Sequence, residues 1–154
     1  MCGIFGIIAN KETQLKKEFF TKSINYLANA SMSRGKDSSG LCLFNQSTNE
    51  VEVYKGPIPI NRLMQNKDVI EAINNNFKHA NKSFYGFGHA RLVTNGTQLK
   101  SINNQPVIKD ETIGIHNGII VNVDDLWSEI SSIKREYEID TEVLLALIND
   151  NLLN

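Results

Sequence analysis

The sequence is most easily bounded by what it has little of. In 154 residues there are two cysteines, three prolines and one tryptophan, and 16 basic residues stand against 17 acidic ones for a net charge of −1. Two cysteines, Cys2 and Cys42, make a thin disulfide framework, and nothing else points to secretion. A near-zero charge removes the electrostatic case for nucleic acid or an anionic membrane as partner. No apolar run approaches the ~18 residues that a membrane-spanning helix needs. The N-terminus lacks a basic region followed by an apolar stretch and a cleavage site, so no signal peptide is read and the cytoplasm is the default location. The three histidines (His79, His89, His116) and the cysteines show none of the close paired spacings of zinc sites. No metal and no cofactor is expected.

What is present suits a soluble globular chain, with 41% hydrophobic and 21% charged residues. The length fits one domain over 1–154, and a chain of about 150 residues buries about 70% of its unfolded surface. "GIFGII" (3–8) reads as a buried strand, and the spacing of Leu15, Phe19, Ile24 and Leu27 predicts a helix over about 12–30. "LCLFN", "QSTNE" and "VEVYK" read as strand, turn and strand. A helix is expected around "KDVIEAINNNF" and a strand over "SFYGFGHARLV". "ETIGIHNGIIVN" is strand-like on both sides of an Asn-Gly. "VDDLWSEISSIKRE" reads as a helix opened by Asn122, and "DTEVLLALINDNLL" as another capped by Asp140. Strands mixed with helices predict an α/β or α+β sandwich.

Five short stretches carry residues capable of chemistry. Cys2 directly follows the initiator methionine, whose removal is generally efficient before a small residue. Cys2 would then bear both a thiol and a free α-amine, whose ordinary pKa of about 7.7–8.0 suits a general base. It could equally begin a core strand and merely pack. "SRGKDSSG" (33–40) is either a turn-rich loop or a polar pocket wall, with Arg34 and Asp37 pairing or holding the N-terminus. The chain has only four arginines, so an arginine here can answer a geometric demand that lysine cannot meet.

"GHARLVTNG" (88–96) places Arg91 near a strand end. Its fork suits an amino acid's α-carboxylate, though Arg91 could also face solvent beside a turn at Asn95-Gly96. In "GIHNGIIVN" (114–122), Asn117-Gly118 is either a type I′ hairpin turn or an oxyanion hole made of the Asn117 amide and the Gly118 N–H. In "DTEV" (140–143), Asp140 either caps a helix or accepts a substrate ammonium. Cys42, in a strand-like run, reads as a small buried hydrophobe.

Taken together and in order, Cys2-Gly3-Ile4, "RGKDSSG", "GHARLVTNG", "NNQP", "HNGIIVN" and "DTEV" resemble the glutaminase domain of class II glutamine amidotransferases. The resemblance runs from Cys2 to about Leu147. It implies an α+β N-terminal-nucleophile hydrolase fold, a four-layer αββα sandwich. It also implies hydrolysis of the side-chain amide of free glutamine through a γ-glutamyl thioester on Cys2, with the ammonia passed to a synthase. Carried over by position, Asn117 and Gly118 form the oxyanion hole and Arg34 supports the N-terminal end. Arg91, Thr94 and Asn95 lie on the substrate side with the carboxylate, and Asp140 takes the ammonium.

The chain departs from the family's sugar-phosphate members, which have histidine at Asn95 and tryptophan at Leu92, while "NNQP" leans toward the purine branch. Glutaminase domains of this family continue past the "DTEV" helix, so the sandwich is expected to be incomplete at its C-terminal end. Either a second polypeptide completes the sheet, or the domain is a reduced one, or the chain is a fragment. The partners expected are a separate synthase or that completing polypeptide, and a second copy in a homo-oligomer. The alternative is a non-catalytic glutamine-binding or assembly module that retains the fold.

Overall fold

The computed structural model describes residues 2–9, 16–45, 47–78, 83–92 and 97–153. Their centre is an antiparallel four-stranded sheet in the order β1-β4-β2-β3, formed by Gly3–Ala9 (β1), Ser38–Asn45 (β2), Glu50–Gly56 (β3) and Phe84–Arg91 (β4). Strict alternation decides which side chains meet which layer. Phe5, Leu41, Leu43, Phe84 and Ala90 point to one face. Three helices cover that face: Lys17–Ser31 (α1), Ile60–Leu63 (α2) and Lys67–Lys78 (α3). Helix α1 buries Phe20, Ile24 and Ala28, one residue per turn, and the Phe20 ring meets Phe84 edge-on at 4.6 Å. From α3, Val69, Ala72 and Ile73 complete this core.

On the opposite face lies residues 103–106, leading into a ribbon of Val107–Lys109 (β5) and Thr112–Gly114 (β6). Gly40 makes the approach possible, because a Cβ there would stand 2.1 Å from the Gln105 carbonyl oxygen. Lys55 donates its ammonium to the Asn104 and Pro106 carbonyls at 2.9 Å each. Two further helices, Val123–Glu129 (α4) and Thr141–Leu153 (α5), follow the ribbon. Helix α5 is buried on two sides: Leu145 packs with Val107 and Ile139, and Val143 and Ala146 pack with Ile130. The architecture is mixed α+β with antiparallel sheets, compatible with a sandwich. The second sheet among the described residues is a ribbon of two three-residue strands.

The strand at 3–8, the hairpin, the strand over 84–91 and the helices at 67–78 and 141–153 match the sequence reading. Other expectations need correction. Helix α1 begins at Lys17, with Lys16 extended before it, and residues 12–15 of the expected helix lie outside the described residues. The strand expected on both sides of Asn117-Gly118 exists on one side only, ending at Gly114. No type I′ turn forms there, because that turn needs positive φ at both central residues and Asn117 does not have it; Asn49 and Asp110 are the described non-glycine residues that do.

Helix α4 stops at Glu129, where Ile130 turns extended and buries itself against α5. Asn122 sits at its N-cap position without a side-chain capping bond. Asp140 stands just before α5, yet its carboxylate reaches back to the Ile120 N–H at 2.9 Å. A short β5 and the one-turn α2 escape sequence reading, since three- and four-residue elements show no period.

Candidate active site

The ends of β1 and β4, the loop after α1 and the segment 116–120 converge. The "RGKD" loop can lie against the end of β4 because Gly35 has no side chain: a Cβ there would be 2.4 Å from the Arg91 carbonyl carbon and 2.5 Å from the Leu92 nitrogen. The Asp37 N–H donates to the Arg91 carbonyl at 3.0 Å, fixing the loop in register with the strand. Beside it Cys2, half-buried, places its thiol 3.5 Å from the Leu92 carbonyl oxygen. The Asn117 side-chain amide donates to the Cys2 carbonyl at 3.0 Å, across 115 residues of sequence. Cys2, Gly3, Ser31, Arg34 and Asn117 line one open cavity of about 390 Å³.

Behind this cavity Arg91 is 5% exposed, and its Nη1 donates to the Asn103 carbonyl at 2.7 Å and to Asn104 Oδ1 at 3.4 Å. Burial lowers its pKa, while Cys2, Asp140 and Asp37 lie close enough to favour its charge. Arg91 is therefore no solvent-facing residue, and part of its fork holds the 103–104 segment on the sheet. His89, fully buried on the same face of β4, makes no hydrogen bond through either ring nitrogen among the described residues. Burial and then the Arg91 charge push its imidazole down to about 4, against an opposing pull from the His116 main chain.

Cys42 is buried, and desolvation pushes its thiol up to about 11, so it is unreactive at neutral pH.

Of the site residues expected from sequence, Cys2, Arg34 and Asn117 share the cavity. Gly118 adjoins Asn117, and Arg91 and Asp140 lie within Coulombic range of each other but are not among the residues lining that cavity. Thr94 and Asn95 lie outside the described residues. Sequence reasoning quoted "NNQP" but gave it no task. In the structure Asn103, Asn104 and Gln105 are all buried and bonded to Arg91, His116 and Thr141. The available signal was a run of amides ahead of a proline, in a stretch too polar to be buried without partners.

The arrangement can present a thiol, a side-chain amide and a nearby cation to one small polar molecule. No protein-family model matches the chain. Among curated proteins, it is 32% identical over 158 residues to the isomerizing glutamine–fructose-6-phosphate aminotransferase of Helicobacter pylori, an alignment covering 99% of this chain and 23% of that protein. The enzyme of the same name from Shouchella clausii is 30% identical over 151 residues, covering 96% of this chain and 22% of the relative. The human protein of that name, form 2, is 30% identical over 161 residues with the same two coverages. The chain thus spans less than a quarter of the length of the curated relatives it matches. Over nearly its whole length, the relationship these alignments carry is to glutamine amidotransferases.

Proposed function

We propose that this chain is a class II glutaminase of N-terminal-nucleophile type, releasing ammonia from free glutamine for a synthase. With Met1 removed, the Cys2 α-amine takes the thiol proton, and the thiolate adds to the side-chain amide carbon of glutamine. The resulting oxyanion accepts hydrogen bonds from the Asn117 amide and the Gly118 N–H. Collapse expels ammonia, which leaves with the transferred proton, and a γ-glutamyl thioester remains. Water then adds to the thioester, freeing glutamate and restoring the thiol. Arg91 and Thr94 hold the α-carboxylate, Asp140 the ammonium, and Arg34 the N-terminal end. A cation and an anion facing the two charged groups on the α-carbon distinguish a zwitterionic amino acid from glutamine within a peptide.

The observation that carries this reading is the Asn117 amide bonded to the Cys2 carbonyl beside the thiol in one cavity. An amide N–H₂ has two donors, so one can hold Cys2 while the other serves the substrate.

The test is glutamate and ammonia production by the purified protein, with intact mass to follow Met1. Cys2→Ala is expected to abolish hydrolysis and leave glutamine binding within a few-fold. A glutamine-like electrophile is expected to label Cys2 and spare Cys42. Glutamine binding with no hydrolysis by the unmodified protein would favour the non-catalytic module. Full turnover with Met1 retained would remove the terminal amine as base.

A further inference from the structure

Gln105 is 8% exposed, and its side chain uses three of its four hydrogen-bonding positions on two separate segments. Its Oε1 accepts from the His116 N–H at 2.6 Å and its Nε2 donates to the His116 carbonyl at 2.9 Å. One amide thereby satisfies both main-chain groups of one residue, as a neighbouring strand would. The remaining Nε2 hydrogen serves Thr141 Oγ1 at 3.2 Å. His116 immediately precedes Asn117, and Thr141 immediately follows Asp140. The Asp140 carboxylate closes the circuit by accepting the Ile120 N–H at 2.9 Å. The root of the Gln105 side chain is itself fixed, because its carbonyl rests on Gly40 of the central sheet.

We infer that Gln105 is a positioning residue that sets the spacing between the Asn117-Gly118 turn and the Asp140 end of the glutamine pocket. This rests on the glutaminase reading. Among the described residues the segment 115–120 has no ladder partner, so its distance from Cys2 is set by side-chain bonds. Gln105 helps to set that distance and ties the segment to the first turn of α5. Misplacement by about 1 Å at such a point costs on the order of 10²-fold in rate. Loss of the clamp therefore reaches both the transition state, through Asn117, and substrate binding, through Asp140.

The experiment is steady-state glutamine hydrolysis by Gln105→Met, Gln105→Glu and Thr141→Val in the full chain. Constants are expressed per Cys2 thiol that reacts with a glutamine-like electrophile. Gln105→Met is expected to lower kcat by about 10²-fold and to raise KM several-fold. Gln105→Glu keeps the acceptor for the His116 N–H in nearly the same shape, and its loss in kcat is expected to be smaller. Thr141→Val releases only the α5 arm and is expected to raise KM more than it lowers kcat. A merely structural Gln105 would reduce the count of reactive thiols and leave the constants per thiol unchanged, which would overturn the inference. Should Gln105→Met not fold, the other two variants decide it by the same split. Absence of hydrolysis in the unmodified protein would instead defeat the glutaminase reading, and this inference with it.

Discussion

Asn117 has two tasks on one exposed side chain: it fixes the backbone of Cys2 and faces the cavity in which the thiol sits. Its exposure means that truncation should cost the fold little, about the 1 kcal/mol of one hydrogen bond. We expect Asn117→Ala to lower kcat by about 10²–10³ with a much smaller change in KM, because an oxyanion donor acts in the transition state. Lost stability with normal turnover per folded molecule would assign Asn117 to the backbone alone.

His89 is the second case at this scale. Its ring is buried and neutral, with Arg91 and His116 as the charged and titratable groups facing it. Its folded pKa of about 4 lies below the ordinary 6.5, so between those values the unfolded chain binds the extra proton. Stability on this account is complete above about pH 6.5 and falls as pH drops toward 4, by on the order of 3 kcal/mol. Urea midpoints across that range should fall less steeply for His89→Gln than for the unmodified protein. Equal slopes would show that His89 is not what titrates.

At the scale of elements, the irregular stretch 134–137 is strapped between β5 and α5 by one buried ion pair. Lys109 reaches Glu142 at 2.9 Å, Glu136 at 3.1 Å and the Lys134 carbonyl at 2.6 Å, while the Glu142 carboxylate accepts the N–H groups of Glu136 and Tyr137 at 2.8 Å each. The Lys109 and Glu142 side chains are 3% and 0% exposed. Removing one partner of such a pair strands a buried charge, so Lys109→Met is expected to destabilise the fold by about 3–5 kcal/mol in urea titrations.

Burial alone lowers the Lys109 pKa, but hydrogen bonds and charge from Glu142 and Glu136 outweigh it and hold the group above its ordinary 10.5. The lysine's share of this stabilisation is therefore fully present below about pH 10.5 and lost as pH rises through the folded value. A Lys109→Met protein as stable as the unmodified one would mean that Glu142 is held by the 136–137 amides alone.

At the scale of the whole molecule, the two faces of the sheet are unequally covered. Helices α1 to α3 seal one, whereas among the described residues 103–106 cover only part of the other. Ile4, Ile8 and Val51 remain 53%, 78% and 47% exposed, and an apolar hollow of about 420 Å³ runs along Gly6, Ile8, Tyr85 and Phe87. Helix α5 adds Leu144, Ile148 and Leu152, spaced four apart and partly exposed. Exposed apolar surface of this kind drives association in water. We expect the protein to self-associate, with a weight-average mass that rises with concentration in sedimentation experiments. Ile8→Lys should lower that mass without altering glutamine hydrolysis, since Ile8 is remote from the cavity residues. A monomer at all concentrations would show that the open face is tolerated.

The sequence by itself determined the elements with a clear period and the residues with distinctive chemistry. The short apolar runs of β1, β2 and β4 and the helical spacing in α1 are local properties, although that spacing pointed to Phe19, which is exposed, where Phe20 is the residue buried. Cys2, Arg34, Arg91, Asn117 and Asp140 stood out because few residue types can act as nucleophile, fork, oxyanion donor or ammonium acceptor. Tertiary structure alone chose against the hairpin turn at Asn117-Gly118. The choice depended on a bond to Cys2 from 115 residues away and on the absence of a second strand.

It also decided that Arg91 is buried against Asn103 and Asn104, and that Asp140 reaches Ile120 instead of capping its own helix. The buried work of Gln105 and Glu142 was likewise invisible. A polar side chain's partner is fixed by where the chain folds back, and no periodicity in the sequence records that.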